Sequence, residues 1–142
     1  ASEPYGNIRV RSRPLNNFTI TAEQVPSMID ELPALGALAA HGCVVDVSGA
    51  AELRNKESDR IAAFAKGLRD LGADVIERKD GFVACRQNEL KGGSADAAGD
   101  HRLAMAFAIA ALAGKGPSTI SGADSVAISF PGFFSVLDML RQ

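Results

Sequence analysis

A weak internal repeat limits the fold of this chain more than any other feature of its sequence. Asp30 aligns with Asp100. After each comes a helix-like run rich in small residues, then a glycine (Gly42 or Gly116) and a strand-like run. A Ser-Gly-Ala turn follows in both copies, Ser48-Gly49-Ala50 and Ser121-Gly122-Ala123, and each turn leads through a short loop to an amphipathic segment, from Glu57 in one copy and from Ser129 in the other. Two modules stacked in one domain, roughly residues 1–90 and 91–142, are the arrangement this implies. Asp, Gly and Ser-Gly are also favoured at helix and strand ends generally, so chance recurrence is the competing explanation.

The chain is long enough for two such modules to share a core. Its 142 residues, 46% hydrophobic and 23% charged, have the make-up of one soluble globular domain. A formal charge of -2 gives no bulk attraction to nucleic acid or to an anionic membrane, so any anion site must be local. The longest apolar stretch, Leu103 to Leu112, is too short to span a bilayer, and no signal-peptide layout opens the chain. A cytoplasmic location is expected, with neither nucleic acid nor membrane as partner. The start at Ala1, without methionine, is what a processed or excised segment would show. Cys43 and Cys85 lie in apolar strand-like runs and are expected to be buried, reduced thiols. His41 and His101 have no ligand spacing relative to them, so no metal site is expected.

Periodicity predicts an α/β chain. Short strands are expected at Asn7 to Val10, Phe18 to Thr21 and Cys43 to Val47, with a helix from Met28 through Ala40 closed by Gly42. Glu57 to Leu71 is the clearest helix: Ile61, Phe64, Ala65, Leu68 and Leu71 share a face, Ser58 or a neighbour caps it, and Gly72 ends it. Asp74 to Arg78 and Gly81 to Arg86 form a hairpin around the Asp80-Gly81 turn. Gln87 to Gly99 reads as polar loop, Asp100 to Ala113 as a helix poor in charge, Ser118 to Ser121 as a strand and Phe133 to Leu140 as a closing amphipathic helix.

Polar residues gather at the predicted helix starts: Asp30-Glu31, Lys56-Glu57-Ser58-Asp59-Arg60 and Asp100-His101-Arg102. Helix N-termini offer unpaired N–H groups and partial positive charge, and with Lys56, Arg60 and Arg102 they would form a receptor for a multiply charged anion. Carboxylates among such cations are candidates for proton transfer. The same residues also make an ordinary surface, with Asp30 and Asp100 as caps, Glu57 and Asp59 satisfying a helix dipole, and the arginines solvated or ion-paired. Spacing alone does not separate these readings. Gly92-Gly93-Ser94 lacks the lysine and following helix of a phosphate-binding loop.

At these positions the sequence resembles the 5-enolpyruvylshikimate-3-phosphate (EPSP) synthase family, whose motifs read approximately D-E-x-P, L-R-x-K-E-S-D-R, D-H-R-x-A-M and S-F-P-x-F. Here they stand as Asp30-Glu31-Leu32-Pro33, Leu53-Arg54-Asn55-Lys56-Glu57-Ser58-Asp59-Arg60, Asp100-His101-Arg102-Leu103-Ala104-Met105 and Ser129-Phe130-Pro131-Gly132-Phe133. Their order and separations agree across nearly the whole chain.

The resemblance implies an inside-out α/β domain of β-α-β-α-β-β modules, helices inside and sheets outside, of which this chain would hold about the last two. A missing N-terminal domain would complete a cleft between two domains, and the chain alone would not turn over. The implied reaction transfers the enolpyruvyl group of phosphoenolpyruvate to the 5-hydroxyl of shikimate 3-phosphate, without metal or cofactor. By position, Asp30 would take the attacking proton and Glu57 would move a proton at the methylene carbon. Lys56 would contact the shikimate substrate, Arg60 and Arg102 would hold the carboxylate and phosphate of phosphoenolpyruvate, and His101 would line that site. Two departures stand out: Ile128 where many members carry lysine, and Glu52 where many carry asparagine. The alternatives are a non-catalytic domain of the same fold and another enolpyruvyl transferase.

Overall fold

The computed structural model describes residues 3–141, and these form two sheets around buried helices. In chain order the elements are β1 (Phe18–Ile20), α1 (Val25–Met28), α2 (Leu32–Ala37), β2 (Val45–Val47), α3 (Arg60–Asp70), β3 (Asp74–Arg78), β4 (Gly81–Cys85), β5 (Ser94–Asp96), α4 (His101–Ala111), β6 (Thr119–Ser121) and α5 (Phe133–Leu140). Short 3-10 turns cover Leu38–His41, Ala51–Asn55 and Ala123–Ile128. The larger sheet has the order β1-β2-β4-β3, with β1 parallel to β2 and the remaining pairs antiparallel; β5 and β6 form a second, parallel pair.

Helix α3 lies between the sheets, in contact with β3 and β4 on one side and β5 on the other. Its predicted face is the one it buries: Ile61, Phe64, Ala65 and Leu68 are sealed, with Leu71 just beyond its end. The Phe64 ring meets Phe82 of β4 at 4.6 Å and Phe107 of α4 at 6.3 Å, so one aromatic stack ties the larger sheet to both long helices. Burying a ring of this size contributes about 1.5–3 kcal/mol. Gly67 permits the approach of α3 to α4, because a Cβ there would lie 2.2 Å from Phe107 Cζ.

The repeat holds element by element. The 3-10 turn after each Ser-Gly-Ala begins at Ala51 and Ala123, and Gly49 and Gly122 both take left-handed backbone, φ 75° and 70°. In both copies a parallel strand pair precedes it, β1 with β2 and β5 with β6.

Several expectations need correction. Asn7 to Val10 pairs with no strand among the described residues, and Ile8 and Val10 are almost fully exposed; alternation alone forms no strand without a partner for the backbone. The helix expected over 28–40 is broken into α1, α2 and a 3-10 turn. Pro33 has no N–H to continue the ladder from α1, and the backbone restarts at Leu32. The expected loop over 87–99 contains β5. Gly81 serves the hairpin through space rather than left-handed backbone: it pairs with Arg78, and a Cβ on it would sit 1.9 Å from the Val47 carbonyl oxygen. Cys43 is buried and Cys85 half-buried, both as free thiols. No helix among the described residues is long and apolar enough to cross a membrane.

Candidate active site

Arg60, the first residue of α3, organises the polar cluster. Its side chain is 1% exposed, yet it carries a full charge into the interior, which is tolerable only with carboxylate partners. Its Nε donates to Asp100 Oδ2 at 2.7 Å, and Nη1 donates to Asp30 Oδ1 at 3.1 Å. Nη2 donates to the Glu57 carboxylate and, at 3.5 Å, to Asp100 Oδ1. Arg60 therefore joins the two aspartates that the repeat aligns. Burial works against its charge, but the three surrounding carboxylates hold its pKa above the usual arginine value.

The two aspartates do different work. Asp100 is fully buried and caps α4, accepting from the backbone N–H of Arg102 at 2.9 Å and Leu103 at 3.4 Å, and it also accepts from Ser58 Oγ at 3.2 Å. Asp30 caps nothing: α2 starts behind Glu31 with no side-chain cap. Its carboxylate is 40% exposed and lies 3.4 Å from Arg102 Nη2, while Arg102 Nη1 donates to the Asp30 carbonyl at 3.3 Å. Burial pushes the Asp30 pKa up, but the hydrogen bond from Arg60 and the charges of Arg102, Lys56 and Arg60 outweigh it. The carboxyl is held below the usual aspartate value and is ionised at neutral pH.

Five of the six predicted site residues meet in this network or its field. Asp30, Glu57, Arg60 and Arg102 are linked by direct contacts, with Glu57 55% exposed beside buried Arg60. Lys56 acts on Asp30 through its charge, while its Nζ pairs with Glu52 Oε1 at 3.2 Å. The carboxylate at the Glu52 departure thus has a partner in the site loop. His101 neighbours Arg102 at the start of α4, and its Nδ1 is buried with no hydrogen-bond partner among the described residues. Ile128, the other departure, is largely exposed and brings no charge.

The picture of bare helix ends needs revision. Asp59 caps α3 by accepting from Ala62 N, and Asp100 caps α4, so part of each end is already satisfied. The positive charge of the cluster is carried by side chains instead. Ser58 and Asp100 stand in the polar clusters of the sequence, but only as caps, without a role in the site. The available signal was the alignment of Asp100 with Asp30, and the structure adds that both bind Arg60.

Beside the cluster lies an apolar pocket of about 240 Å³, lined by Asp30, Arg102, Met105, Ile109, Phe130 and Phe133 among others. The Ser129 to Phe133 motif thus supplies an aromatic wall next to the charged groups. A larger cavity of about 770 Å³ lies near the other end of α4, against α5, and shares no residue with the cluster.

Helices α3 and α4 buried between two sheets, with arginines and accessible carboxylates gathered at their starts, define an α/β domain that carries a compact charged cluster at one edge. The family model for EPSP synthase (3-phosphoshikimate 1-carboxyvinyltransferase) matches residues 2–137, and the chain belongs to that family. It is 48% identical over 143 residues to the 3-phosphoshikimate 1-carboxyvinyltransferase of Roseiflexus sp. (strain RS-1), covering 99% of this chain and 33% of the relative. To that of Parasynechococcus marenigrum (strain WH8102) it is 41% identical over 145 residues, covering 99% and 32%. The 2.37 Å structure of EPSP synthase from Acinetobacter baumannii superposes with a TM-score of 0.82 at 40% identity, covering 90% of this chain and 31% of that one. The chain spans about a third of the length of the curated relatives it matches.

Proposed function

We propose that this chain is the C-terminal portion of an EPSP synthase and carries half of its active site. The observation that carries this reading is the joining of Asp30 and Glu57, both solvent-accessible, through one buried arginine, with Arg102 alongside. In the full-length enzyme the 5-hydroxyl oxygen of shikimate 3-phosphate attacks C2 of phosphoenolpyruvate. Asp30 takes the hydroxyl proton while Glu57 delivers a proton to the methylene carbon, which becomes a methyl group. The tetrahedral adduct then returns a methyl proton to Glu57 as its bond to the phosphate oxygen breaks; the leaving phosphate takes the proton held by Asp30, and the enol ether is restored with both carboxyls back in their starting states. Proton transfer and charge stabilisation are the only chemistry this scheme asks of the protein.

The electrostatics favour the order of events. Ionised Asp30 is free of a proton but weakly basic, because Arg60, Arg102 and Lys56 hold its pKa down. A bound substrate anion neutralises those cations, so the base strengthens when there is a proton to take. Arg102, a third exposed, offers its planar fork to carboxylate or phosphate. Arg60 keeps its Nε on sealed Asp100, while its outer nitrogens, now on Glu57 and Asp30, exchange onto the substrate carboxylate. Lys56 contacts the shikimate substrate, and His101 lines the phosphoenolpyruvate site.

Residues 1–90 and 91–142 then act as two modules of one domain, a division supported by each sheet falling within one of them. The missing N-terminal domain supplies the opposite wall, and the cytoplasm is the expected location. The test is phosphate release by the full-length protein from phosphoenolpyruvate. Turnover with shikimate 3-phosphate as acceptor supports this reading; turnover only with a sugar nucleotide would assign another enolpyruvyl transferase, and none with either would leave a non-catalytic domain.

A further inference from the structure

The residues that reach the substrate in this scheme, Lys56 and Glu57, stand on a short loop between a 3-10 turn and α3. Something must hold that loop. At its front edge Arg54 uses all three guanidinium nitrogens. Nε donates to the Lys79 carbonyl at 2.8 Å; Nη2 donates to the Arg78 carbonyl at 2.6 Å and to Glu77 Oε1 at 3.1 Å; Nη1 donates to both carboxylate oxygens of Asp59, at 2.8 and 3.1 Å. Asp59 closes the loop at its far edge and caps α3, accepting from Ala62 N at 3.0 Å. One side chain thus fastens both ends of the loop to the turn of the β3–β4 hairpin. The same turn holds the preceding segment, since Asp80 accepts from Gly49 N through its carboxylate and from Ala50 N through its carbonyl. The residues between look the other way: Lys56 toward Glu52, Glu57 toward Arg60 and Ser58 toward Asp100.

We propose that Arg54 is a positioning residue for enolpyruvyl transfer, a buckle from the β3–β4 turn that sets where Lys56 and Glu57 stand; this rests on the functional reading above. A lysine at 54 keeps the charge but lacks the fork, so it cannot hold the hairpin carbonyls and Asp59 together. Misplacing a proton-transfer group by about 1 Å costs on the order of 100-fold in rate. A residue that only stabilised the fold would lower the melting temperature without touching turnover.

The experiment compares the full-length protein with its Arg54→Lys and Arg54→Ala variants by melting temperature, amide hydrogen exchange at residues 55–59, and kcat and KM from phosphate release. The expected result for Arg54→Ala is a loss of about 100-fold in kcat, faster exchange at Lys56 to Ser58, and a larger rise in KM for shikimate 3-phosphate than for phosphoenolpyruvate. Arg54→Lys should restore the melting temperature but not kcat. If Arg54→Ala does not fold, Arg54→Lys decides alone. Turnover of a folded variant within about twofold of the parent overturns the proposal, as does full rescue of kcat by lysine. If the parent itself shows no turnover, the transfer reading falls separately, and unaltered exchange at 55–59 in the variants then overturns the buckle as well.

Discussion

Asp30 and Asp100 hold equivalent places in the repeat, yet one is 40% exposed and the other is sealed against Arg60. Removing the buried partner leaves Arg60 with only the two exposed carboxylates and α4 without its cap, so Asp100→Ala should cost about 3–5 kcal/mol in denaturant unfolding of the full-length protein. A loss below about 1 kcal/mol would mean that Arg60 finds water or another partner. Asp30 gives a prediction in pH. Its folded pKa lies below the unfolded value, so its stabilising contribution is complete above the unfolded pKa and is lost as pH falls through the folded one. The Asp30 carboxyl carbon, followed by NMR, should therefore titrate below the usual aspartate value. A midpoint above that value would show burial outweighing the arginines. At this scale the sequence was informative about chemistry and less so about partners. Asp30, Glu57, Arg60 and Arg102 were found by motif, but the tie from Arg60 to Asp100 joins residues far apart in the chain, which no local spacing reports.

Among the elements, α3 and α4 were legible because each combines apolar periodicity with an aspartate at its start, and Gly72 ends the first turn beyond α3 with φ 102°. Strand β5 was missed because three residues bounded by polar loop carry too little alternation. The repeat contained the missing signal: β1 pairs in parallel with β2, and the second copy required an equivalent neighbour for β6. The break between α1 and α2 was written at Pro33, whose effect was overridden by the apolar run on either side. The α3–α4 contact yields a test of packing. Gly67→Ala should destabilise the protein by about 1–3 kcal/mol through the clash with Phe107, and adding Phe107→Leu should return part of the loss. Strict additivity of the two changes in thermal melting would show that the helices do not meet there.

In the whole molecule, Asp30 and Glu57 face solvent over sealed Arg60 and Asp100, and α5 buries none of its residues. If a second domain completes the site, closure around small anions is required, since a permanently closed cleft would admit no substrate. Small-angle scattering of the full-length enzyme should show compaction with both substrates, and an unchanged radius of gyration would contradict closure.

The central claim, that the carboxylates gathered by Arg60 transfer protons during enolpyruvyl exchange, is tested most directly by the kcat of full-length Glu57→Gln, which keeps the shape and loses the proton. A fall of about 10²–10⁴-fold with an unaltered melting temperature is the expected result. Turnover within about twofold of the parent would remove Glu57 from the chemistry and with it the mechanism built on this cluster.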